Sequence, residues 1–355
     1  MPASSVVKHP RRLLILRFSA LGDVAMTVPV VASLAAQYPQ MQITVASQPF
    51  LAPLFDRLAP NVQFFGADIR KAYRGLRGLW QLSRTAPFQD CDAVADLHDV
   101  LRTKILRCFL RLRGKRLAVI NKHRREKRLL VEHKIFRPLP TSFALYAETL
   151  ARLGLPVKLN FERLKLGGDA LHLPFPFSTD TLHEPWLGLA PFAAHEGKIY
   201  PLEQMAEVVQ LYFELHPHGR LFVFGSRKEM EMLRPTWGKD FERLVFVCDI
   251  LKGLDAELQL MARLNAMVSM DSGNMHLASL VGCAVVSIWG QTHPFAGFMG
   301  YHQAEENVVQ QDLHCRPCSI FGNAPCRYGD FRCLRDILPQ LIVDKVEEII
   351  SPEQD

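Results

Sequence analysis

Leu13–Pro39 reads LLILRFSALGDVAMTVPVVASLAAQYP, and the fold turns on how this stretch is divided. Leu13–Leu16 is a short apolar run, which suits a buried strand. From Ala32 to Tyr38 the residues favour helix, and Ile43–Ala46 is a second apolar run. Strand, tight turn, helix, strand is the βα unit that opens a parallel sheet. Asp23 falls in the turn, directly behind Gly22, where ligands meet open α/β sheets. A carboxylate there either caps the following helix or does chemistry.

The same rhythm continues along the chain. Val62–Phe65, Ala93–Leu97 and Arg116–Ile120 read as further strands, with Met26–Tyr38 and Leu101–Leu112 as helices; Thr27 is positioned to cap the first, with Pro29 in its first turn. Residues 154–185 become rich in Gly, Pro and polar residues around GGDALHLPFPFSTDTLHEP (167–185), a shift that marks a boundary. Beyond it Trp186–Pro191, Arg220–Phe224, Leu244–Val247, Ala266–Ser269 and Ala284–Ile288 read as strands. Gln204–Leu215, Ser226–Leu233, Leu254–Leu264 and His276–Val281 read as the helices between them. The expectation is two α/β domains, residues 1–165 and 166–355, each with its own core and with ligands bound across the cleft they face.

The 355 residues carry 48% hydrophobic and 22% charged side chains, ordinary for a globular protein. Neither a run of 18 apolar residues nor a signal-peptide h-region is present, so a cytoplasmic location is expected. The net charge of +6 conceals a division. Residues 1–160 hold 26 Lys+Arg against 10 Asp+Glu, +16, which leaves 16 against 26, −10, for the rest. Between Arg102 and Arg128 there are 12 basic residues and one acid, Glu126. So basic a half implies a polyanionic partner: nucleic acid, a phosphorylated saccharide or an anionic membrane face.

In the second half, MVSMDSGNMHLASLVGCAVVSIWG (267–290) leads from a strand through Asp271, Ser272 and Gly273 into a helix that carries Met275 and His276. Small residues at such a turn expose backbone N–H groups, which with the helix dipole make an anion site. Lys198, in GKIYP after the first strand of this half, is a cation that could converge on the same diphosphate. In FVFGSRKEMEML, Gly225 and Ser226 follow a strand, and Glu229 could reach a ribose hydroxyl. Neither GxGxxG nor GxxxxGK[ST] occurs, which weighs against a dinucleotide oxidoreductase or an NTPase.

LLILRFSALGDVAMTVPVVASL, AVADLHDVLRTKIL, GKIYP and MDSGNMHLASLVGCAVVSIWGQTHP, in that order, resemble glycosyltransferase family 9, the lipopolysaccharide heptosyltransferases. The resemblance implies a GT-B architecture: two Rossmann-like α/β/α domains facing a cleft, the acceptor on the first and the nucleotide-sugar on the second. It implies inverting, metal-independent transfer from an ADP-sugar such as ADP-heptose, with no cofactor, to a lipid A/Kdo-type anionic acceptor. The work would be done at the cytoplasmic face of the inner membrane, with no nucleic acid involved. Asp23 is then the catalytic base. Lys198, Gly225, Ser226, Glu229, Asp271, Ser272, Gly273, Met275 and His276 hold the donor, and Gly22, Arg102, Lys104, Arg124 and Lys127 meet the acceptor.

Ala193 and Ala194 stand where hydroxyl residues are common in the family, and His98 where glutamine is frequent. Asp90-Cys91-Asp92 matches the DxD of metal-dependent glycosyltransferases but precedes a strand, which suits a turn. Four of the eight cysteines, Cys315, Cys318, Cys326 and Cys333, fall in segment 314–333 as C-x2-C-x7-C-x6-C, a spacing that permits a structural zinc site. A C-terminal helix follows. Two other readings remain: another GT-B enzyme such as a nucleotide-sugar epimerase, and a noncatalytic polyanion-binding protein at a membrane surface.

Overall fold

A computed structural model describes residues 9–167 and 185–351. Most of the glycine- and proline-rich stretch 167–185 lies outside the described residues. The chain divides into two compact units. One comprises the described residues up to Lys122 together with Thr141–Lys165, the other His123–Pro140 together with the described residues from Leu166 onward. Residues 123–140, expected in the first half, therefore belong with the second.

The first unit holds a parallel sheet of five strands: β1 (Arg12–Leu16), β2 (Gln42–Ser47), β3 (Val62–Gly66), β4 (Ala93–Asp96) and β5 (Arg116–Val119). Their order is β3-β2-β1-β4-β5. Both edges of β1 are paired, Leu13 with Ile43 on one side and with Ala93 on the other. The strands read as short apolar runs because a parallel sheet is covered on both faces; Leu13, Leu14, Ile15 and Leu16 are all buried. The chain moves outward from β1 through β2 to β3, then returns to β4 on the other flank. The switch point lies between β1 and β4, where the loops after neighbouring strands part and leave a crevice.

The second unit repeats the plan with β6 (Trp186–Ala190), β7 (Arg220–Val223), β8 (Leu244–Phe246), β9 (Ala266–Met270), β10 (Val285–Trp289) and β11 (Val308–Gln310). The order β11-β10-β9-β6-β7-β8, all parallel, puts its switch point between β6 and β9. Val208, Val209 and Tyr212 of the helix Leu202–Leu215 and Ile342, Val343 and Val346 of the C-terminal helix Pro339–Ile350 pack into one core with Leu187, Val268 and Ile288. Residues 123–140 join this unit through Leu130 and Leu139, which cluster with Ala296. Backbone pairing adds to this, the Leu139 N–H donating to the Phe295 carbonyl at 2.9 Å. Among the described residues no helix is long and apolar enough to cross a membrane.

Candidate active site

Each expected centre sits at a switch point. In the first unit β1 runs into Arg17, Phe18, Ser19 and the short helix Leu21–Ala25, so Asp23 stands in the first turn of a helix. Its Oδ2 accepts from the Ala20 N–H at 3.2 Å, which bonds it back to the helix start without making it the N-cap. The same Oδ2 is ion-paired with the Arg17 guanidinium, which also donates to the Leu97 carbonyl after β4 at 2.6 Å. Arg17 is buried. Burial works against its charge, and the neighbouring Tyr146, Asp23 and Asp96 more than offset that, so its pKa is raised. The Asp23 side chain is 31% exposed. The carboxylate thus meets both solvent and a buried cation.

The surroundings are furnished from distant parts of the chain. Tyr146, on the helix Ser142–Ala151, donates its hydroxyl to the Asp23 carbonyl at 3.2 Å. That helix starts at Thr141, whose side chain accepts from the Ala144 N–H at 3.2 Å. Thr27 does not cap the helix Val28–Gln37; its hydroxyl donates back to the Val24 carbonyl at 2.7 Å. His98, after β4, accepts from the Phe18 N–H at 3.4 Å and lies 3.3 Å from the Ser19 hydroxyl. Burial first, then Arg17 and Lys122, push its pKa down to about 3, so the ring is neutral at ordinary pH. Asp96 is fully buried and ion-paired with Arg107 at 3.1 Å.

His293 in the second unit is likewise pushed down, to about 4, by burial and then by Arg316. Both histidines accept a proton more readily unfolded, near pH 6.5, than folded. The unfolded chain therefore binds more protons as the pH falls, and stability drops from about pH 6.5 downward, by up to about 1.4 kcal/mol per pH unit for each ring. His98→Gln is expected to flatten the fall in Tm between pH 6.5 and about 4, measured by calorimetry. An unchanged slope would show that His98 is protonated in the fold.

The second centre gathers loops after β6, β9 and β10. Lys198 donates to Asp271 Oδ2 at 2.9 Å, and the Thr292 hydroxyl donates to the same oxygen at 2.8 Å. Asp271 Oδ2 thus holds both Lys198 and the Thr292 hydroxyl. The loops are pressed close: the Gln291 N–H donates to the Gly197 carbonyl at 2.9 Å, and a Cβ on Gly197 would meet Gln291 Oε1 at 2.0 Å. Ser272 occupies the N-cap of the helix Gly273–Leu280, yet its side chain makes no capping bond. Its hydroxyl lies 3.4 Å from that of Ser269. The first-turn N–H groups are thus not covered by a capping side chain, beside a held lysine, which is the makings of an anion site.

Met275 and His276 lie in the first turn of the helix Gly273–Leu280, both buried. Glu229 forms a capping box: its Oε2 accepts from the Ser226 N–H at 2.7 Å and the Ser226 hydroxyl at 2.8 Å, while Ser226 Oγ accepts from the Glu229 N–H. These bonds start the helix Arg227–Asp240, and Gly225 leaves room for Met230. Gly22 lies inside the helix Leu21–Ala25. Arg102 and Lys104 are exposed on the helix Leu101–Leu112 of the first unit, Arg102 near enough to lower the His98 pKa. Arg124 and Lys127, expected beside them, are carried by the second unit, with Lys127 Nζ 4.2 Å from the centroid of the Phe298 ring.

Asp90-Cys91-Asp92 is not the expected turn: Asp90 ends the helix Ala86–Asp90, and Asp92 accepts from the Arg11 and Arg12 N–H groups at 2.8 and 2.9 Å, at the amino end of β1, away from Asp23. None of the eight cysteines is in a disulfide. Among the described residues no three His, Cys, Asp or Glu side chains stand together as a metal requires, so the expected zinc ligands Cys315, Cys318, Cys326 and Cys333 do not form a set. Cys333 is buried, and burial first, with the neighbouring Cys318, Cys315 and Cys326 adding to it, pushes its thiol up to about 12. The segment is organised instead by buried Arg316, which sequence reasoning missed. Its guanidinium donates to the carbonyls of Gly290 (2.5 Å), Trp289 (3.1 Å), Thr292 (2.9 Å) and Gln311, and to Gln310 Oε1 (3.0 Å).

Known proteins share this fold. A family 9 glycosyl transferase from Veillonella parvula superposes with a TM-score of 0.72 at 17% identity, over 96% of this chain and 97% of its own. The ADP-heptose LPS heptosyltransferase II of E. coli superposes with a TM-score of 0.68 at 20% identity, over 97% and 100%. These likenesses establish the fold as α/β, two-domain GT-B. In sequence, the lipopolysaccharide core heptosyltransferase OpsX of Haemophilus influenzae is 24% identical over 303 residues, 80% of each chain. The profile of glycosyltransferase family 9 (heptosyltransferase) matches residues 88–324, from just before β4 to beyond β11. With two-thirds of its length matched in this way, the chain belongs to glycosyltransferase family 9, the heptosyltransferase family.

Proposed function

We propose that this glycosyltransferase moves a heptose from ADP-heptose to the inner core of lipopolysaccharide, with inversion and without a metal. The observation that carries the reading is the second centre, where a helix start with no capping side chain lies beside the held Lys198. A nucleotide diphosphate is an anion of suitable shape for it. Two similar proteins bear names that specify the chemistry further, a lipopolysaccharide core heptosyltransferase and an ADP-heptose LPS heptosyltransferase.

In the proposed reaction Asp23 takes the proton of an acceptor hydroxyl as its oxygen attacks the anomeric carbon. The bond from that carbon to the diphosphate breaks, and ADP leaves with the electron pair. A general base is needed because a neutral hydroxyl is a poor nucleophile. Lys198 and the N–H groups at the start of Gly273–Leu280 stabilise the charge developing on ADP. With those donors in place a chelator is expected to leave turnover unchanged. Arg102 and Lys104 attract the anionic acceptor to the first unit.

Incubation with ADP-heptose and a deacylated core acceptor should release ADP and add one heptose to the acceptor, both read by mass spectrometry. An epimerase would alter the donor with no acceptor present, and a noncatalytic protein would release nothing; either outcome overturns the reading. Lys198→Met is expected to weaken ADP binding by about 10–100-fold, the scale of one charge-assisted hydrogen bond. Calorimetry showing unchanged affinity would remove Lys198 from the site.

A further inference from the structure

The helix Gly75–Leu82 wears apolar residues on its inner face and on a flank. Its inner face is conventional: Leu79 and Leu82 are buried in the first unit's core with Leu106 and Leu110 of the helix Leu101–Leu112. The flank beside it, where charged residues would ordinarily meet water, shows Leu76 at 67% and Trp80 at 44% exposure. They are one turn apart, on the same stripe as Arg84, whose guanidinium lies 4.7 Å from the centroid of the Trp80 ring. Arg77 flanks them. The Arg113 guanidinium donates to the Ser83 carbonyl and hydroxyl, which ties the ends of the two helices together. Beside that tie Leu112 is 86% exposed, between Arg111 and Arg113.

Residues 69–89 contain Arg70, Lys71, Arg74, Arg77 and Arg84 and no acid, and the helix Leu101–Leu112 has four cations and no acid. An exposed tryptophan and leucines ringed by arginines answer two demands at once. The cations match anionic headgroups, and the apolar side chains, tryptophan above all, suit the boundary between headgroups and acyl chains. A soluble polyanion would satisfy the arginines but leave Leu76, Trp80 and Leu112 in water.

We propose that this face, Leu76, Arg77, Trp80 and Arg84 with Leu112, is a docking surface for an anionic phospholipid bilayer. It goes beyond the transferase reading, because it is a property of the first unit's surface and needs no turnover to be seen.

The fold supplies its own reporter. Of the four tryptophans, Trp186, Trp237 and Trp289 are buried, so Trp80 alone is exposed. The purified full chain is mixed with vesicles of phosphatidylcholine containing phosphatidylglycerol, with brominated acyl chains, and fluorescence quenching is read alongside co-sedimentation. Binding that weakens with salt, and quenching that disappears in Trp80→Phe, are expected. Leu76→Ser/Trp80→Ser and Arg77→Glu/Arg84→Glu should each lower the vesicle partition coefficient by about tenfold or more. Binding without Trp80 quenching would overturn the proposal, as would unchanged partition in both double variants. Equal binding to heparin with none to vesicles would show a surface that reads charge alone, and would also overturn it. Because Trp80→Phe is conservative, the quenching comparison stands even where a double variant misfolds.

Discussion

Asp23→Asn is expected to lower kcat by about 10²–10⁴-fold while ADP affinity stays within about twofold, since the substitution removes a base and leaves Lys198 untouched. The replacement is close in shape and retains an oxygen for the Ala20 N–H that Asp23 Oδ2 now accepts. Steady-state kinetics with calorimetry separates the two quantities; a near-normal kcat would end the assignment. Arg17→Met acts on the same carboxylate from its other side. Losing the paired cation raises a carboxylate's pKa, so the acid limb of the pH–rate profile should move to higher pH. Of the other titratable groups around this pair, His98 is pushed far down and Tyr146 raised, each first by burial, so both are neutral at working pH, while Asp96 is ion-paired with Arg107.

The second large effect is expected from Arg316→Met. The buried guanidinium gathers four backbone carbonyls and Gln310 Oε1, and methionine would fill part of its volume while donating to none of them. Buried acceptors left without donors cost about 1–3 kcal/mol each where water does not reach them. A total of at least about 3 kcal/mol corresponds to a fall in Tm of about 6–12 °C for a unit of this size. Thr292 is among the residues released, and its hydroxyl bonds Asp271, the holder of Lys198. ADP affinity should therefore weaken together with stability. An unchanged Tm by calorimetry would show the carbonyls satisfied by water.

Strands were legible where burial on both faces leaves an uninterrupted apolar run, as in Leu13–Leu16 and Ile43–Ala46. The three-residue β11, Val308–Gln310, is too short to carry such a pattern, and the helix Ser142–Ala151 gave no sign of its role at the site. Gly22-Asp23 stood out because a carboxylate just after a first strand falls at a place the topology reserves for ligands. Its partners did not. Tyr146 lies 123 positions from Asp23, and the Thr292–Asp271 bond spans 21 residues that include a helix and a strand. Lys198 read as a free cation because its carboxylate partner arrives from the far side of the switch point. Glu229 read as a ribose contact although Ser226-x-x-Glu229 is equally the pattern of a capping box, which is how the structure uses it.

Residues 123–140 are bracketed in the chain by the first unit and packed in the second. The second unit is therefore not a contiguous piece of polypeptide, and a cut near residue 165 would not separate the two cores. Synthesis runs from the amino end, so Leu130 and Leu139 leave the ribosome before Ala296 exists. During that interval the segment has no core of its own to enter, and completion of the second unit waits on a strip of chain made more than 150 residues earlier.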